Sequence, residues 1–531
     1  MMRFSVDYTN DRQRQLAKLS DSSGNRVVYH RNEHAQLVKI SCNGQDRLCY
    51  SYDRFGRIST IVCKGEVTTE SFYQYDAFNR LVQMEHWQTK GSGESERLAR
   101  YDITYDNDSR IISIITDLAL LSEKRHSEEE HFKYNALGGL IEASRKGDDI
   151  VMQRRTFEVD AFNNITSARE YNGHGSLIET TTFSYDTTNP IKLLSMTRSK
   201  DNRSIKLEYS ANGHVVREIH YVGDKIEKTI NYRYNAKDQW IGITGNDGRS
   251  TRFGVDGEGR IISWSQDGGT SSRLIYYANG FRYCEVRDKK AWINFERHQL
   301  ISISHDDQSL SWDSKSGASG GIRQRLYDPL GNVVLYLDSG IDTCWSVYRY
   351  TPSGEQECLQ GKQSDLGYQG NETEPESGSV IYGHGVRPYR PELRRFLMFD
   401  KGYSPFGSGR ENGYAYASND PINHHDPSGH MDIPKEELVP GEGGASTGRF
   451  KWLTRKKESE PGQKKPGGSP LYKAARKHLY EAGLSAPVVP ASRRYLDAVA
   501  AANASAKKRP NDPIKEKTFF LLETLHHYSL L

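Results

Sequence analysis

A short motif is repeated along most of the chain. It reads Tyr, or in two copies Val, then Asp or Asn, two variable residues, usually Gly or Asn, often Arg, and an aliphatic residue. The clearest copies begin at Tyr52, Tyr75, Tyr105, Tyr134, Val159, Val255 and Tyr327, and degenerate copies begin at Tyr185, Tyr209, Tyr234, Tyr277 and Tyr350. The first five clear copies are 23 to 30 residues apart. Such spacing indicates an array of repeated supersecondary units.

Each position of the motif suits a β-hairpin. The Asp or Asn side chain can close an Asx turn on the backbone that follows it, and Gly or Asn tolerates the positive φ of a tight turn. The aliphatic residue begins a strand in which apolar and polar residues roughly alternate, as in 58–64 and 81–87. The tyrosine ring packs across the sheet while its hydroxyl is paired or wet. We therefore expect a mainly β fold, with one hairpin per repeat in a long antiparallel sheet that curls or closes to protect its edges.

The composition fits a large folded protein. The 531 residues are too many for one ordinary core, and 11% aromatic residues are too many for a disordered chain, although only 35% are hydrophobic. The longest apolar stretch, 111–121, is shorter than the ~20 residues of a membrane-spanning helix, so no membrane span is expected. The N-terminus lacks the apolar core of a signal peptide. We expect secretion or release by a dedicated route, and otherwise a cytoplasmic location in the producing cell.

Cysteine and histidine patterns argue against a metal or cofactor site. The six cysteines are scattered and none forms a CxxC pair, which argues against zinc and redox motifs. His478 and the pair His526-His527 have no acid or cysteine at metal-ligand spacing. The segment 256–259 lacks the alternating acids of a calcium loop. We expect no cofactor and no metal.

The repeats resemble the YD repeats, or Rhs repeats, of bacterial Rhs toxins, of the C components of insecticidal toxin complexes and of the teneurins. The resemblance implies that residues 1–365 form a hollow shell into which the hairpin sheet spirals. Because relatives of this kind carry a longer run of repeats, the shell is expected to be N-terminally incomplete. The resemblance also implies a partner, a B-type toxin-complex component that closes the shell.

A second segment, 366–430, carries more specific motifs. They lie at 386–389 with Arg395-Phe396, at 404–407, at 414–416 and at 426–429, and read VRPY with RF, SPFG, YAY and DPSG. This segment closely resembles the Rhs-associated core, which in the family is an intramolecular aspartic protease. The resemblance implies that Asp400 and Asp426 are the catalytic pair. It also implies that the chain is cut between His430 and Met431.

The implied chemistry is physically plausible. Two carboxylates held close together cannot both ionise easily, so one is expected to stay protonated at neutral pH. Such a pair can activate water and protonate the leaving nitrogen, and a bond on the same chain needs only one turnover. Asp420 is a nearby substitute for either aspartate. Arg395 and Arg410 are candidates for orienting a carboxylate or stabilising the oxyanion.

Two departures from the family pattern leave an alternative open. Met398 and Phe399 precede Asp400, where relatives have Ser or Thr and then Pro, and the box ends in His430, where it often ends in Leu. In the alternative, both aspartates only cap turns. The protein is then a structural or adhesive YD-repeat protein, or a degenerate fragment, with an inactive core.

The repeat pattern ends at His430. Residues 431–470 are rich in Gly, Pro and Lys and indicate a flexible basic linker, while 471–531 indicates a variable region, a small α domain of three helices. In the family this region is the toxin cargo. After His430 there are 18 Lys and Arg residues against 11 Asp and Glu residues, with basic clusters at 455–457 and 507–509. We expect weak polyanion binding, and a second alternative makes the tail a nucleic-acid-directed effector.

Overall fold

The repeated motif folds as a tight turn between two antiparallel strands. In the computed structural model, Asp53 Oδ1 accepts hydrogen bonds from the backbone N–H groups of Phe55 and Arg57 at 2.8 and 3.0 Å. Arg57 Nε donates to Asp53 Oδ2 at 2.7 Å. Gly56 has a φ of +78°, in the left-handed region that glycine adopts freely. The predicted Asx turn and its positive-φ residue are therefore confirmed.

Other copies of the motif repeat this geometry. The same bond from arginine Nε to the aspartate carboxylate joins Arg80 to Asp76, Arg110 to Asp106 and Arg260 to Asp256. Segment 256–259, compared above with a calcium loop, is therefore one of these turns. Ser109 stands where the motif has Gly or Asn and still adopts a φ of +64°.

In many copies the tyrosine ties its repeat to the one before. Tyr75 donates from its hydroxyl to the carbonyl of Ile58, the first residue of the preceding repeat's strand, at 3.0 Å. The guanidinium carbon of Arg57 lies 4.6 Å from the centroid of the Tyr75 ring. Equivalent hydroxyl–carbonyl bonds run from Tyr52 to Leu37, Tyr105 to Leu81, Tyr134 to Ile111, Tyr185 to Ile165, Tyr209 to Leu193 and Tyr234 to Val215.

The structure describes fifteen stretches of the chain: residues 6–11, 15–21, 26–65, 67–120, 125–147, 153–267, 272–278, 281–287, 290–295, 298–303, 322–338, 345–361, 367–400, 412–430 and 432–435. All of them belong to one compact unit, residues 1–453. The predicted helical region, 471–531, and most of the predicted linker lie outside the described residues. Within the described residues, no helix has the length and apolarity needed to cross a bilayer.

The described residues form one large antiparallel sheet of thirty strands, in which each strand pairs with the next along the chain. The strands are β1 (Val6–Asn10), β2 (Leu16–Asp21), β3 (Arg26–Arg31), β4 (Leu37–Cys42), β5 (Gln45–Tyr52), β6 (Ile58–Cys63), β7 (Thr68–Tyr75), β8 (Leu81–Thr89), β9 (Ser95–Tyr105), β10 (Ile111–Ala119), β11 (Arg125–Tyr134), β12 (Leu140–Gly147), β13 (Gln153–Val159), β14 (Ile165–Tyr171), β15 (Leu177–Tyr185), β16 (Leu193–Arg198), β17 (Arg203–Tyr209), β18 (Val215–Val222), β19 (Lys225–Tyr234), β20 (Trp240–Thr244), β21 (Ser250–Val255), β22 (Ile261–Gln266), β23 (Ser272–Ala278), β24 (Phe281–Arg287), β25 (Lys290–Phe295), β26 (His298–Ile303), β27 (Ile322–Tyr327), β28 (Val333–Asp338), β29 (Trp345–Tyr350) and β30 (Gln356–Gln360).

Two smaller sheets follow the large one. We call the described residues from 367 to 435 the core module. Its four-stranded sheet contains β31 (Thr373–Glu374), β32 (Ser379–Tyr382), β33 (Arg387–Arg390) and β34 (Arg395–Phe396), and its two-stranded sheet contains β35 (His424–His425) and β36 (Ile433–Pro434). Single-turn 3₁₀ helices lie at Tyr368–Gly370 and Ala417–Asn419.

The large sheet bends back on itself, because strands far apart in sequence meet. Thr69 Oγ1 in β7 donates to Gln324 Oε1 in β27 at 2.7 Å. His86 Nε2 in β8 is hydrogen-bonded to the carbonyl of Tyr327 at 2.8 Å. The prediction that a sheet of this length curls is confirmed by these contacts.

The sheet and the core module share one apolar core. On the sheet, the ring of Phe253 packs between the rings of Trp240 and Trp264, at centroid distances of 4.6 and 4.9 Å. In the core module, the rings of Tyr389 and Tyr416 lie 4.5 Å apart and both are buried. Across the boundary, the ring of Tyr414 in the core module packs edge-on against the ring of Tyr209 on the sheet at a centroid distance of 6.2 Å.

The core module also docks on the row of YD turns. The register of the strand ladder shifts at these turns, and there the backbone N–H groups bond to the core module. Ile111 N donates to Asn423 Oδ1 at 2.8 Å, and Val215 N donates to the Leu397 carbonyl at 2.9 Å. The edge of the sheet that carries the turns therefore positions the module in which the catalytic aspartates were predicted.

Four residues beyond His430 belong to the core module as well. The sequence placed 432–435 in the flexible linker, whereas the structure pairs Ile433 and Pro434 with β35 and buries Lys435. Their partners lie elsewhere in the module, and composition carries no signal for such pairing.

Candidate functional site

The turn at 426–430 forms the first part of the site. Asp426 Oδ1 accepts hydrogen bonds from Ser428 Oγ at 3.1 Å and from the backbone N–H of His430 at 3.0 Å. Gly429 closes the turn with a φ of +74°. An Asp-Pro-Ser-Gly sequence favours this arrangement, because Asp can bond to the backbone ahead of it and glycine accepts the left-handed conformation. The buried Asp426 carboxylate thus holds the backbone of His430 in place.

Close contact between two turns brings Arg387 to this carboxylate. Gly383, in the turn between β32 and β33, has a φ of +59°, and a Cβ atom there would lie 2.1 Å from the Ser428 carbonyl oxygen. A residue with a side chain would push the two turns apart. Glycine therefore lets the 426–430 turn sit directly against the start of β33, where Arg387 lies.

Arg387 contacts both predicted catalytic aspartates. Its Nη2 atom donates to Asp426 Oδ2 at 3.0 Å and lies 3.5 Å from Asp400 Oδ2. Its Nη1 atom donates to the Gly413 carbonyl at 3.1 Å, and its Nε atom donates to the Gly429 carbonyl. The side chain is buried, so one guanidinium bridges two carboxylates away from bulk water.

This cation changes the electrostatics that the two aspartates alone would have. The guanidinium carbon lies 3.7 Å from the centroid of the Phe396 ring, which holds the plane of the group. A positive charge between two carboxylates opposes their mutual repulsion, and charge-assisted hydrogen bonds are the stronger class. The Arg387 guanidinium therefore offsets part of the repulsion between the two carboxylates.

The residues that depart from the family pattern pack around Asp400. Met398 is buried, and the ring of Phe399 packs edge-on against Tyr414 at a centroid distance of 5.4 Å. The backbone N–H of Asp400 donates to the Gly413 carbonyl at 3.3 Å. With these contacts the Asp400 carboxylate is buried beside Arg387, although the residues before it are unusual for the family.

His430 is held by both aspartates. Its Nδ1 atom lies 2.7 Å from Asp400 Oδ1, while its backbone N–H donates to Asp426 Oδ1. Its side chain is 44% exposed, so the imidazole forms the outer side of the site. The two carboxylates therefore converge on the residue that precedes the predicted cleavage position.

The remaining predicted site residues have other surroundings or lie outside the described residues. Asp420 is buried, and its carboxylate accepts hydrogen bonds from Asn423 N at 3.1 Å and from Asn423 Nδ2 at 2.9 and 3.0 Å. These bonds give Asp420 a turn-closing role. Arg410 and Met431 lie outside the described residues. Among the described residues, no group of three or more His, Cys, Asp or Glu side chains is arranged to hold a metal ion.

Among the described residues, Arg387 is the arginine that contacts both aspartate carboxylates, whereas the candidate Arg395 has other surroundings. Arg395 Nη2 donates to the carbonyl of Ile191, in the turn between β15 and β16, at 2.6 Å. One feature of the sequence does indicate Arg387. It lies two residues before the aromatic Tyr389, and alternate residues of a strand share a face, so a strand that buries Tyr389 also buries Arg387.

A family model described as teneurin YD-shell matches residues 3–290 and, in an overlapping match, 88–422. No curated protein matches the chain. A crystal structure of TcdB2-TccC3 is similar, with a TM-score of 0.55 and 16% identity over 80% of this chain and 22% of that chain. A structure of the Photorhabdus luminescens Tc holotoxin pore has a TM-score of 0.55 and 16% identity over 81% of this chain and 21% of that chain. A TcdB2-TccC3 crystal structure without the hypervariable C-terminal region has a TM-score of 0.56 and 16% identity over 80% of this chain and 21% of that chain.

The chain spans about a fifth of the length of these solved chains. At 16% identity the likeness establishes the fold, which agrees with the mainly β repeat architecture described above. The family-model match covers well over half of the chain. The protein therefore belongs to the teneurin YD-shell family.

Proposed function

We propose that the protein is a shell component of a Tc-type toxin complex that frees its C-terminal region by cutting its own chain after His430. The shared fold with the TcdB2-TccC3 structures supports this assignment. One of those structures is of a complex without a hypervariable C-terminal region. In this chain, residues 431–531 follow the proposed cleavage position.

The convergence of Asp400 and Asp426 on His430 is the observation that carries the proposal. One carboxylate contacts the imidazole and the other accepts the backbone N–H of the same residue. These contacts bring two groups that can exchange protons to the residue that precedes the proposed cut. Proximity of this kind is the main requirement for a single-turnover cut within one chain.

The proposed reaction is hydrolysis of the peptide bond between His430 and Met431. A water oxygen attacks the His430 carbonyl carbon while one carboxylate accepts the water's proton. The tetrahedral intermediate collapses, the carbon–nitrogen bond breaks, and the other carboxyl group, which is protonated at the start, donates its proton to the leaving nitrogen of Met431. The products are a new carboxylate at His430 and a new amine at Met431.

Arg387 has a positioning role in this reaction. It holds both carboxylates through one guanidinium nitrogen, and its bond to the Gly429 carbonyl fixes the backbone just before His430. A buried, preorganised cation also favours the negative charge that develops on the attacked carbonyl oxygen.

The alternative is a core that does not cut, and one observation favours it. Asp426 closes its own turn, as an Asx cap does in structural loops, and Arg387 neutralises it. Asp400 fits this reading less well, because its carboxylate contacts Arg387 and the imidazole of His430, the residue that precedes the proposed cut. The protein would then be a structural or adhesive YD-repeat protein.

The remaining parts of the proposal concern partners and location. We propose that the sheet encloses the C-terminal region as cargo and that a B-type component completes the shell, since the solved relatives are TcdB2-TccC3 complexes. Release from the producing cell would use a dedicated route. The basic tail would bind polyanions weakly, without sequence preference.

Mass spectrometry of the denatured, full-length protein tests the cut directly. Wild-type protein is expected to give one fragment ending at His430 and another beginning at Met431. Asp400→Asn and Asp426→Asn are expected to remain whole. Asp420→Asn is the matched control, because it makes the same change at a buried aspartate of the module whose carboxylate bonds to Asn423. A wild-type chain that stays whole at neutral pH would support the inactive-core alternative.

The test must separate enzymatic cutting from acid cleavage. The Asp426-Pro427 bond is acid-labile, and its breakage yields a fragment that ends at Asp426. Because this fragment is four residues shorter than the expected one, its mass identifies the artefact.

A further inference from the structure

The segment just beyond the proposed cleavage position is packed into the body of the protein. In β35 and β36, His424 pairs with Pro434 and His425 pairs with Ile433, in an antiparallel ladder. The backbone N–H of Lys435 continues this pairing by donating to the Asn423 carbonyl at 2.7 Å. We call residues 432–435 the anchor segment.

Lys435 is the most deeply held residue of the anchor segment. Its side chain is buried, and its Nζ atom donates to the Pro421 carbonyl at 2.6 Å. The charges of Asp328, in a YD turn, and of Asp420 act favourably on the ammonium, while burial lowers the pKa of Lys435 to about 8. Burial of a lysine costs free energy, because the loss of water disfavours its charge. The buried position of Lys435 therefore depends on the partners that compensate this cost.

The other end of the anchor segment is tied down too. Asp432 Oδ2 accepts a hydrogen bond from Ser418 Oγ at 2.9 Å, and burial raises the pKa of the Asp432 carboxyl. The partners of the anchor segment are residues 418, 421, 423, 424 and 425 and the charges at 328 and 420, all of which precede His430. A cut after His430 would leave every one of these contacts in place.

We propose that the body carries a binding site for the anchor segment, which retains the C-terminal fragment without a covalent bond after the chain is cut. The site recognises a short extended strand that ends in a lysine, by main-chain pairing with β35 and by an acid-lined pocket for the ammonium. Cutting and release are then separate steps, and the cut alone does not free the fragment. The cut rests on the proposed function, whereas the binding site does not.

The test compares native and denatured states of the full-length protein. In size-exclusion chromatography, the two wild-type fragments are expected to elute together, while denaturing mass spectrometry shows both. Lys435→Ala is expected to be cut as completely as wild type, but its C-terminal fragment elutes separately. Lys451→Ala, which makes the same charge change elsewhere in that fragment, is expected to behave as wild type.

Two further measurements keep the inference testable. A synthetic peptide with the sequence of residues 431–438 is expected to displace the fragment from cut wild-type protein. If the chain is not cut, hydrogen exchange of the intact protein decides. The backbone amide of residue 435 is expected to exchange at least about tenfold more slowly in wild type than in a Ser418→Ala, Lys435→Ala double variant, after correction for the intrinsic rates of the two residues.

Outcomes that overturn this inference differ from those that overturn the cut. Wild-type fragments that separate as soon as they form, or Lys435→Ala fragments that stay together as well as wild type, would refute retention by the anchor segment. In an uncut chain, rapid exchange of the Lys435 amide would refute the site. An uncut chain with a protected Lys435 amide would refute the proposed cleavage and leave the binding site standing.

Discussion

Arg390 of β33 and Glu218 of β18 form a buried ion pair, with 2.7 Å between Nη2 and Oε1. Glu218 also accepts a hydrogen bond from the Tyr232 hydroxyl at 2.8 Å and contacts His220 Nε2 at 2.7 Å. The pair joins the large sheet to the short strand that also carries Arg387. The position of the candidate site therefore depends on a salt bridge outside it.

Removal of one partner of this pair is expected to destabilise the protein strongly. Arg390→Met leaves the Glu218 charge buried without its cation, which costs about 3–5 kcal/mol of unfolding free energy. The double variant Arg390→Met, Glu218→Gln is expected to be more stable than Arg390→Met alone, because the orphaned charge is gone. Chemical denaturation measures both. Strictly additive effects would show that the two groups do not interact.

The same pair predicts a pH dependence. Burial acts to raise the pKa of Glu218, but Arg390 and His220 lower it to about 2, below its ordinary value of 4.5. A carboxyl with a lowered pKa in the folded state stabilises the fold above its ordinary pKa, and this contribution is lost as the pH falls through the folded value. Stability is therefore expected to fall between about pH 4.5 and pH 2, and acid titration of Glu218→Gln should show a shallower decline.

Cutting should require arginine at position 387, and lysine should not substitute for it. Arg387→Lys keeps the charge but loses the planar group that bridges Asp400 and Asp426. The cleavage rate, measured by the appearance of the fragment after refolding, is expected to fall about 10²-fold or more, as for loss of a preorganised donor. Arg395→Lys, in the same module but bonded to Ile191, should cut at nearly the wild-type rate. Equal loss in both variants would indicate a purely structural effect.

Replacement of the strained turn residue Ser109 should raise the stability of the protein. Its φ of +64° is unfavourable for serine, whereas Asn79 holds the equivalent position with a φ of +70° and accepts a hydrogen bond from Arg57 Nη1 at 3.2 Å. Ser109→Asn is expected to stabilise the protein by about 0.5–1 kcal/mol, because asparagine tolerates this conformation better. Asn79→Ser is the matched reverse change and should destabilise by a similar amount. Denaturation midpoints give both values.

Retention of the cut fragment should weaken as the pH falls through the alkaline range. Docking lowers the pKa of Lys435 from its ordinary value of 10.5 to about 8, so between these values the docked segment binds fewer protons than the free one. Linkage therefore favours release as the pH falls from about 10.5 to about 8. Size-exclusion chromatography over this range measures release, and Lys435→Met, which lacks the titrating group, should remove the pH dependence.

The local parts of the fold were predictable, because their contacts lie within a few residues. The bonds of Asp53 to Phe55 and Arg57 follow from the motif itself, and so does the positive φ of Gly56. The tyrosine hydroxyl was expected to be paired or wet, but its acceptor, the first carbonyl of the preceding repeat, depends on the register of the ladder. Because the motif recurs along the chain, the sheet could be predicted without knowing which residues pair across its strands.

The site was predictable only in part, since its contacts span the module. The resemblance pointed to Asp400 and Asp426, which the structure brings to one guanidinium. The choice of Arg387 depends on how a turn 39 residues away packs against β33, which no local pattern encodes. Lys435 is a similar case, because its surroundings come from Pro421 and from a YD turn far earlier in the chain.

The contacts between successive turns give the large sheet one constant rim and one adjustable rim. Arg57 Nη1 donates to the Asp76 carbonyl and Arg80 Nη1 to the Asp106 carbonyl, both at 3.3 Å, so neighbouring turns keep a constant offset. The repeats nevertheless differ in length: β6 has 6 residues, whereas β9 has 11. The extra length must emerge at the opposite rim. Evolution can therefore lengthen or shorten hairpins there, and vary what that rim touches, without disturbing the row of turns on which the core module sits.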